Sequence, residues 1–448
     1  MKQFFKSHQM NIYKRLKSNI HYEEIVSSIS TTLDHNHINI NLKGRSLKIA
    51  AHILYLIKRG VAENPYWYKE GYTHISYDIF SNISNHTSYS KLLMELKQAG
   101  YINFEKVSSV NSKHNYNIFS VNEPAYSIPE TKILDYKLLK AVVESEIINN
   151  YDSDVRLQMA MDLMDVTIDP VTEEEYWKRV DTPKCFKKFK LKNHKSIKNL
   201  SDDEQYGEFI IKNVANYTKM VNWNSKTPYL KLISPTIKDS FGWRYHSILS
   251  SIPSWMRNRV KLNGEDLSYC LDLKQSQPTL LGHILKCKKG DNVFTDKINK
   301  QVRIYGEWLD DNGEEDKGYV FQLLYGKMYG ILAKKLEYKY DHKFKSFMYD
   351  IKKVKDDPIK KIDINDISIP VDVNGKYVLP QIMQRYESLM FQDVWVYLKI
   401  TGIRFLSLHD GLYFIDNVSE DTINDIKNII SKYIDVFFSF HYDKVENK

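Results

Sequence analysis

The sequence predicts an α+β protein of more than one domain, and three observations support this prediction. The chain has 448 residues, which is more than one hydrophobic core usually supports. Residues 42–125 follow the order helix, helix, helix, β-hairpin. Residues from 239 onwards alternate apolar strand segments with helices. The hydrophobic fraction of 42% is sufficient for each part to bury a core.

The N-terminal part begins with a stretch, 1–41, that is expected to be a polar, loosely ordered arm. The elements expected after it are helices over 49–57, 76–83 and 88–98 and strands over 101–104 and 116–119. Gly60 and Gly100 are expected to end the first and third helices. This order is typical of a winged helix-turn-helix domain, which we expect over residues 42–125.

A winged helix places its third helix in a major groove of DNA. The residues that would then contact DNA are Ser88, Tyr89 and Lys91 at the start of that helix and Lys113 on the wing. An alternative remains open, because three helices and a hairpin also occur in protein-docking modules.

Residues 126–238 are expected to be mainly helical, with the clearest helices over 133–148 and 204–221. Between them lies a basic run interleaved with Phe186 and Phe189. Its candidate phosphate contacts are Lys187, Lys188 and Lys190. Such a run can follow a nucleic-acid backbone while the rings stack on bases. Taken alone, the run is expected to be a solvated basic loop, since charge runs are usually solvated.

The composition limits the classes of protein to consider. A net charge of +8 permits a polyanionic partner without requiring one. Three cysteines without metal-ligand spacing, Cys185, Cys270 and Cys287, argue against a disulfide framework and against a zinc site. No apolar run is long enough to span a bilayer, and none has the form of a signal peptide. We therefore expect a cytoplasmic protein without membrane contact, and the oligomeric state is left open.

Two distant segments each place one aspartate beside an apolar strand. Asp272 lies at the end of a predicted strand over 268–273. Asp410 lies between apolar strand segments, and Gly411 is expected to ease the turn there. Converging carboxylates of this kind can bind two Mg²⁺ ions, with Mn²⁺ able to replace them, and so support in-line phosphoryl transfer.

A third segment supplies a cation for the same chemistry. Lys317 precedes Tyr325-Gly326 by eight residues, and a helix is predicted over 320–336. A lysine in this position could hold a triphosphate. Two carboxylates and this lysine are the inventory that template-directed nucleotide transfer needs.

Together these residues resemble motifs A, B and C, in that order, of the family A DNA polymerases and the single-subunit RNA polymerases of phages and mitochondria. Motif A corresponds to Asp272 with Ser276-Gln277, motif B to Lys317 with Tyr325-Gly326, and motif C to His409-Asp410. The resemblance covers about residues 239–414. It implies a right-hand polymerase fold of palm, fingers and thumb, with a thumb-like region over 126–238 and a palm over 239–448 that carries a fingers insertion at about 287–345.

The resemblance also implies roles for single residues. Asp272, Asp410 and the backbone carbonyl of Leu273 would bind the metal ions, and Lys317 would grip the incoming triphosphate. Arg244, in a Gly-Arg element before motif A, would contact the template or a phosphate. The residues implied to lie around the nucleotide or the nascent base pair are Phe321, Tyr325, Gly326, Gln277 and His409.

Departures from the family's pattern bear on which polymer is made. Gly313 stands where an arginine is usual, and motif C reads His-Asp-Gly. Motif A lacks the glutamate by which many family A DNA polymerases exclude a 2′-hydroxyl. That absence and Tyr325 favour an RNA product, whereas Phe321 favours DNA. The balance favours a compact DNA-directed RNA polymerase that acts on a DNA template with nucleoside triphosphates.

Three alternatives stay open at this point. One is a DNA polymerase or primase-polymerase of a phage or mobile element. Another is a non-catalytic winged-helix replication initiator, in which the two aspartates have no catalytic role. A histidine–aspartate phosphohydrolase fits poorly, because His409-Asp410 lies between strand segments rather than on a helix with further histidines.

Overall fold

The computed structural model describes residues 22–63, 72–73, 75, 77–84, 89–108, 115–134, 138, 142, 154–235, 239–307, 339–353, 360–372 and 377–445. The chain divides into two compact units. The N-terminal unit comprises Met1–Asp154 and Ile168–Ile233, and the C-terminal unit comprises Val155–Thr167 and Ser234–Lys448. Both contain helices and strands, as expected for the α+β class. Within the described parts, no helix has the length and apolar content that crossing a bilayer requires.

The described part of the first stretch of the N-terminal unit has ten α-helices and β-strands. They are α1 (Tyr22–Ile29), β1 (Thr31–Leu33), α2 (Gly44–Glu63), β2 (Tyr72–Thr73), α3 (Tyr77–Ser84), α4 (Tyr89–Gln98), β3 (Ile102–Ser108), β4 (Asn115–Val121), α5 (Glu123–Tyr126) and β5 (Glu130–Lys132). Strands β2, β4 and β3 form an antiparallel sheet in that order, and β1 pairs with β5. Phe80 of α3 and Phe119 of β4 pack edge to face in the core.

Two expectations for this stretch were wrong. Residues 22–37 are ordered rather than arm-like, because Ile25, Ile29 and Leu33 are buried and β1 is paired with β5. Gly60 does not end its helix, which continues to Glu63. A Cβ on Gly60 would lie 2.6 Å from Thr73 Oγ1, so this glycine permits β2 to approach the helix.

Within the described residues 154–235 the middle of the chain is mainly helical, as expected, whereas most of the helix expected over 133–148 lies outside the described residues. Its elements are α6 (Asp154–Asp162), β6 (Val166–Ile168), α7 (Glu173–Val180), α8 (Pro183–Ile197), α9 (Asp202–Val221) and α10 (Pro228–Ile233). The basic run lies on α8 and is not a loop. Thr182 caps this helix by accepting a hydrogen bond from Cys185 N–H, and Pro183 follows it at the first helical position. Phe186 and Phe189, one turn apart, both contact Phe209 of α9, which explains why the run is helical.

The rest of the chain belongs to the C-terminal unit. Its elements are α11 (Ile248–Ser251), β7 (Val260–Leu262), β8 (Glu265–Asp266), β9 (Tyr269–Leu273), α12 (Ser276–Lys289), α13 (Val293–Asn299), α14 (His342–Lys353), β10 (Lys361–Ile364), β11 (Ile367–Pro370), α15 (Val378–Ile400), β12 (Phe405–Leu408), β13 (Gly411–Phe414), α16 (Glu420–Ile430) and β14 (Phe440–Lys444). Strands β12, β13, β9 and β14 form one antiparallel sheet in that order.

Helix α15 is the central element of this unit. Apolar side chains at helical spacing, among them Ile382, Tyr386, Met390 and Val394, are fully buried. Trp395 Nε1 donates to Ser407 Oγ at 3.1 Å, which attaches the helix to strand β12. The sheet is thereby held against a packed helix, and the turn that follows β12 is fixed in place.

Candidate functional site

The strand register places Asp272 and Asp410 next to each other. In the β9–β13 pair, Asp272 lies opposite Gly411, and Leu273 N–H donates to the backbone carbonyl of Asp410 at 3.3 Å. Side chains alternate along β9, so Leu271 and Leu273 are buried while Asp272 is exposed on the other face. Two carboxylates from segments 138 residues apart therefore meet at one edge of the sheet.

Asp410 is presented by a two-residue turn, but Gly411 does not ease that turn as the sequence suggested. Strands β12 and β13 close at the pair Leu408 and Gly411, and the positive φ of +54° falls on His409. A non-glycine residue in this region carries backbone strain. Gly411 instead gives clearance, since a Cβ there would lie 3.3 Å from both Asp272 Oδ1 and Leu408 O.

Neighbouring carboxylates influence the ionisation of Asp410. Burial raises the pKa of Asp410 well above its usual range, and the negative charges of Glu387 and Asp272 raise it further. Like charges that crowd a half-buried position favour binding of a proton or a cation. A divalent metal ion would serve this purpose, and oxygen donors of this kind are those that Mg²⁺ prefers. The donor set therefore fits the ion that the sequence implies.

Glu387, on α15, is a third carboxylate that sequence reasoning missed. It is 1% exposed. Its Oε1 accepts from Arg244 at 2.5 Å, and its Oε2 accepts from Ser276 Oγ at 2.8 Å and from Gln277 Nε2 at 3.0 Å. Two residues predicted to contact nucleotide, Arg244 and Gln277, thus meet on one buried carboxylate. Glu387 could have been identified from the sequence as a charged residue on the apolar face of a predicted helix.

The loop that carries Arg244 is organised by Asp239. Its carboxylate accepts from the backbone N–H groups of Gly242 at 2.6 Å and Arg244 at 2.7 Å, and it contacts His246 at 3.3 Å. Burial raises the pKa of Asp239, but the hydrogen bonds from His246, Gly242 and Arg244 outweigh it and lower the pKa to about 2. The guanidinium of Arg385 lies over the Trp243 ring at 4.6 Å, which supports the loop from below.

His409 lies beside these charges in its neutral form. Burial lowers its pKa to about 4, helped by the positive charges of Arg244, His246 and Arg257. Its ring packs edge to face against His246 with centroids 5.1 Å apart. Among the described residues, its buried Nδ1 has no hydrogen-bond partner. A neutral ring nitrogen next to Asp410 can accept or donate one hydrogen bond to a ligand.

A tyrosine that the sequence did not single out faces the same carboxylates. Tyr305 lies in a short 3₁₀ turn, Ile304–Glu307. Gln275 fixes this turn, because its side chain accepts from Ile304 N–H at 2.6 Å and donates to Val302 O at 3.3 Å. Burial raises the pKa of the Tyr305 phenol, and the charges of Asp410 and Glu387 add to that rise. Its ring is therefore part of the wall of the site.

Not all predicted site residues lie in the described parts of the chain. Those outside them are Ser88, Lys113, Lys317, Phe321, Tyr325 and Gly326, together with the side chain of Lys188. The whole of motif B is in this group, so its relation to Asp272 and Asp410 remains a prediction.

The remaining predicted nucleic-acid contacts are in the N-terminal unit. Tyr89 is half-buried and Lys91 is exposed, both in the first turn of α4. Lys187 is exposed on α8. Lys190 is bonded to Asp202 at 2.7 Å, so part of the charge of the basic helix is already compensated.

Comparison with known proteins finds similarity among solved structures. No family model matches the chain, and no curated protein matches it. Among solved structures, the chain is similar to the POL domain of Pol1 from M. smegmatis in complex with a DNA primer-template and dNTP, with 10% identity and a TM-score of 0.36. The similarity covers 69% of this chain and 73% of that domain. Identity and TM-score are both low, so the function has to be argued from the geometry of the site.

Proposed function

We propose that this protein is a template-directed nucleotidyltransferase that extends a nucleic-acid strand, with the catalytic centre in the C-terminal unit. The observation that carries the proposal is the register that sets Asp272 beside Gly411 and Asp410, with Glu387 and Arg244 paired nearby. In the fold that goes with this function, the antiparallel sheet β12-β13-β9-β14 would be the palm, and α7 to α9 would belong to the thumb-like region.

Asp272, Asp410 and the backbone carbonyl of Leu273 would hold two Mg²⁺ ions. When bound, these ions would lower the pKa of the 3′-hydroxyl and neutralise the charge of the leaving pyrophosphate. The chain's own part is to fix one carboxylate on β9 and the other in the β12–β13 turn beside it. The crowding of Asp410 by Glu387 and Asp272 supports this assignment, because it makes a bound cation favourable.

Arg244 would contact an anionic part of the substrate. Its charge is oriented by the bond to Glu387, and its backbone is fixed by Asp239. Lys317, Phe321, Tyr325 and Gly326 would complete the nucleotide pocket, on the strength of their spacing in the sequence. His409 and Gln277 would lie at the nucleotide's edge. These side chains would orient the triphosphate, which is the main contribution of protein residues to phosphoryl transfer.

For the product, we propose RNA. The support is the absence of a glutamate in motif A together with Tyr325. The primer requirement is left to experiment.

The N-terminal unit would bind the DNA template as a winged helix. The support is the order α2, β2, α3, α4, β3, β4 and the sheet order β2-β4-β3. Helix α4 would enter the major groove with Tyr89 and Lys91, and Lys187 on α8 would contact phosphates. The same element order also suits a replication initiator without catalytic activity, which is the second candidate.

A primer-extension assay separates the two candidates. The full chain is offered a primed DNA template with Mg²⁺ and either rNTPs or dNTPs, together with a primer-free reaction. We expect the unmodified protein to incorporate nucleotides, and we expect Asp272→Asn and Asp410→Asn to abolish this incorporation. Asp266→Asn, which removes an exposed carboxylate on β8, should leave incorporation unchanged. Retained incorporation in either of the first two variants contradicts the mechanism. DNA binding without incorporation by the unmodified protein identifies the initiator.

A further inference from the structure

A second group of ligand-type side chains lies in the C-terminal unit and is not part of the proposed catalytic centre. His283 and Cys287 lie one turn apart on α12, so they share a face of the helix. Asp435, between α16 and β14, lies against them. His283 Nδ1 is 2.9 Å from Asp435 Oδ1 and 3.8 Å from Cys287 Sγ, and one ligand atom of each residue lies within 4.8 Å of the other two.

These separations are close to those of ligands around one tetrahedral ion. Zinc binds imidazole nitrogen at about 2.0–2.1 Å and thiolate sulfur at about 2.3 Å. A tetrahedral angle then puts neighbouring ligand atoms roughly 3.4–3.6 Å apart. The 2.9 Å between Nδ1 and Asp435 Oδ1 is slightly shorter than this range. Cys287 Sγ lies 3.8 Å from Nδ1 and 3.6 Å from Nε2, so its side chain would have to turn towards Nδ1 to join the ion.

The hydrogen bonds of His283 determine which of its nitrogens is free to bind. Tyr386 donates its only hydroxyl proton to the carbonyl of Tyr433 at 2.8 Å, because a carbonyl can only accept. The contact of 3.1 Å between His283 Nε2 and Tyr386 Oη is therefore a bond in which Nε2–H donates. A histidine that binds metal usually donates from its other nitrogen in this way.

This arrangement leaves two acceptors in contact. In the neutral Nε2–H tautomer, the lone pair on Nδ1 faces Asp435 Oδ1 at 2.9 Å, and Nδ1 accepts a long hydrogen bond from the Asp435 backbone N–H at 3.3 Å. Two acceptors at such a distance need a cation between them, either a proton or a metal ion. A shared proton satisfies only these two atoms, whereas a metal ion would also take Cys287 Sγ as a third ligand.

The surroundings suit a metal ion. Lys286 binds Asp435 Oδ2 at 3.2 Å, which leaves Oδ1 for the ion. Asn365 Oδ1 lies 3.2 Å from Cys287 Sγ and is an oxygen donor for a fourth position. Cys287 is half-buried and Asp435 is exposed, so an ion can reach the group from solvent. The thiolate is the form that binds a metal, so the ion would displace the thiol proton on binding.

We propose that His283, Cys287 and Asp435 form a binding site for one divalent transition-metal ion of the zinc type. One imidazole, one thiolate and one carboxylate are borderline-soft donors that select such an ion over Mg²⁺. The site would join α12 to the segment that leads into β14, and β14 pairs directly with the strand of Asp272 at His441. Its role is to stabilise this part of the unit, and it does not depend on the proposed polymerase activity.

The test is a titration of the full, metal-free chain with Co²⁺, whose thiolate complexes absorb in the near ultraviolet. We expect one equivalent to produce this band, and Zn²⁺ but not excess Mg²⁺ to remove it. Cys287→Ser should abolish the band and Asp435→Asn should weaken Co²⁺ binding by more than about 100-fold, since losing even an outer-shell partner typically costs 10–100-fold. Cys185→Ser, a matched thiol change in the N-terminal unit, should leave it unchanged, as should Asp272→Asn.

Unfolding provides an independent readout if a variant folds poorly. A Zn²⁺ concentration of about 100 times Kd shifts the folding equilibrium by about 100-fold in favour of the native state. This shift raises Tm. We expect Zn²⁺ to raise the Tm of the unmodified protein and of Cys185→Ser, but not that of Cys287→Ser. Absence of a thiolate band in the unmodified protein, or a band that persists in Cys287→Ser, would overturn the proposal.

Discussion

Three carboxylates and one guanidinium set the charge of the candidate catalytic centre. Asp272 and Asp410 are accessible to a ligand, whereas Glu387 is enclosed and bonded to Arg244, Ser276 and Gln277. An enclosed ion pair contributes little net stability, but removing one partner leaves the other charge unpaired. Glu387 is therefore best understood as a positioning residue that holds Arg244.

Glu387→Gln tests this role. We expect the free energy of unfolding to fall by about 1–3 kcal/mol, because the Arg244 guanidinium loses its charged partner. Incorporation should fall mainly through a raised KM for nucleotide, since Arg244 is no longer held in place. Chemical unfolding and steady-state extension kinetics measure the two effects.

The exposed pair of Arg404 and Glu265, at 2.5 Å, is the control. Glu265→Gln should cost less than about 1 kcal/mol and leave the kinetics unaltered. If both glutamine variants behave alike, the Arg244 pair has no special role in the site.

Gly411 is a second residue whose identity has a specific structural reason, because a side chain there would crowd Asp272. A Cβ at this position would lie 3.3 Å from Asp272 Oδ1, tighter than ordinary van der Waals contact. Gly411→Ala should therefore displace the Asp272 carboxylate and lower kcat for incorporation at least about tenfold, while changing stability by no more than about 1 kcal/mol. Extension assays and urea unfolding check the two parts.

Gly207 on α9 is the matched control for this change, because a Cβ there meets nothing within 4 Å. Gly207→Ala should raise the free energy of unfolding by up to about 1 kcal/mol without altering incorporation. An active Gly411→Ala enzyme would show that the clearance beside Asp272 is not needed.

At the scale of the elements, the contribution of the loop 239–246 to the stability of the fold should depend on pH. The folded pKa of Asp239 is about 2, below its usual value. A depressed pKa contributes stability that is present above the usual value and is lost as pH falls through the folded pKa. We expect about 1–2 kcal/mol of the unfolding free energy to disappear between about pH 4 and pH 2, after allowance for partial solvent screening.

The measurement compares urea unfolding at those two pH values in the unmodified protein and in Asp239→Asn. The variant should lose this part of the pH dependence. Asp366→Asn, an exposed carboxylate in the β10–β11 turn, controls for the general effect of removing one charge. Equal pH slopes in Asp239→Asn and the unmodified protein would contradict the assignment.

The elements also show what local sequence can predict. Strand β9 and the turn between β12 and β13 were predicted to within about two residues, because alternation and turn residues act over a few positions. The basic run was expected to be a loop and is helix α8. Its Thr182-Pro183 start signal was present, but the charge pattern was given more weight than the aromatic spacing.

In the whole molecule, the two units are not contiguous in sequence. Residues 155–167 belong to the C-terminal unit although they precede 168–233 of the N-terminal unit. Part of the reason is an ion pair between Asp162 and Lys399 of α15. A contact between residues 237 apart leaves no pattern in the neighbouring sequence. Domain boundaries drawn from the sequence alone therefore do not capture it.

The sequence by itself determined the α+β class, strand β9, the turn between β12 and β13, and the position of Asp272 and Asp410 beside apolar strands. Only the tertiary structure decided the register that sets Asp272 opposite Gly411, the convergence of Arg244 and Gln277 on Glu387, and the meeting of His283, Cys287 and Asp435. The physical reason is the distance along the sequence over which each kind of interaction acts. Propensities and caps act within a few residues, whereas strand pairing and burial join segments more than a hundred residues apart, and that choice depends on the packing of the whole unit.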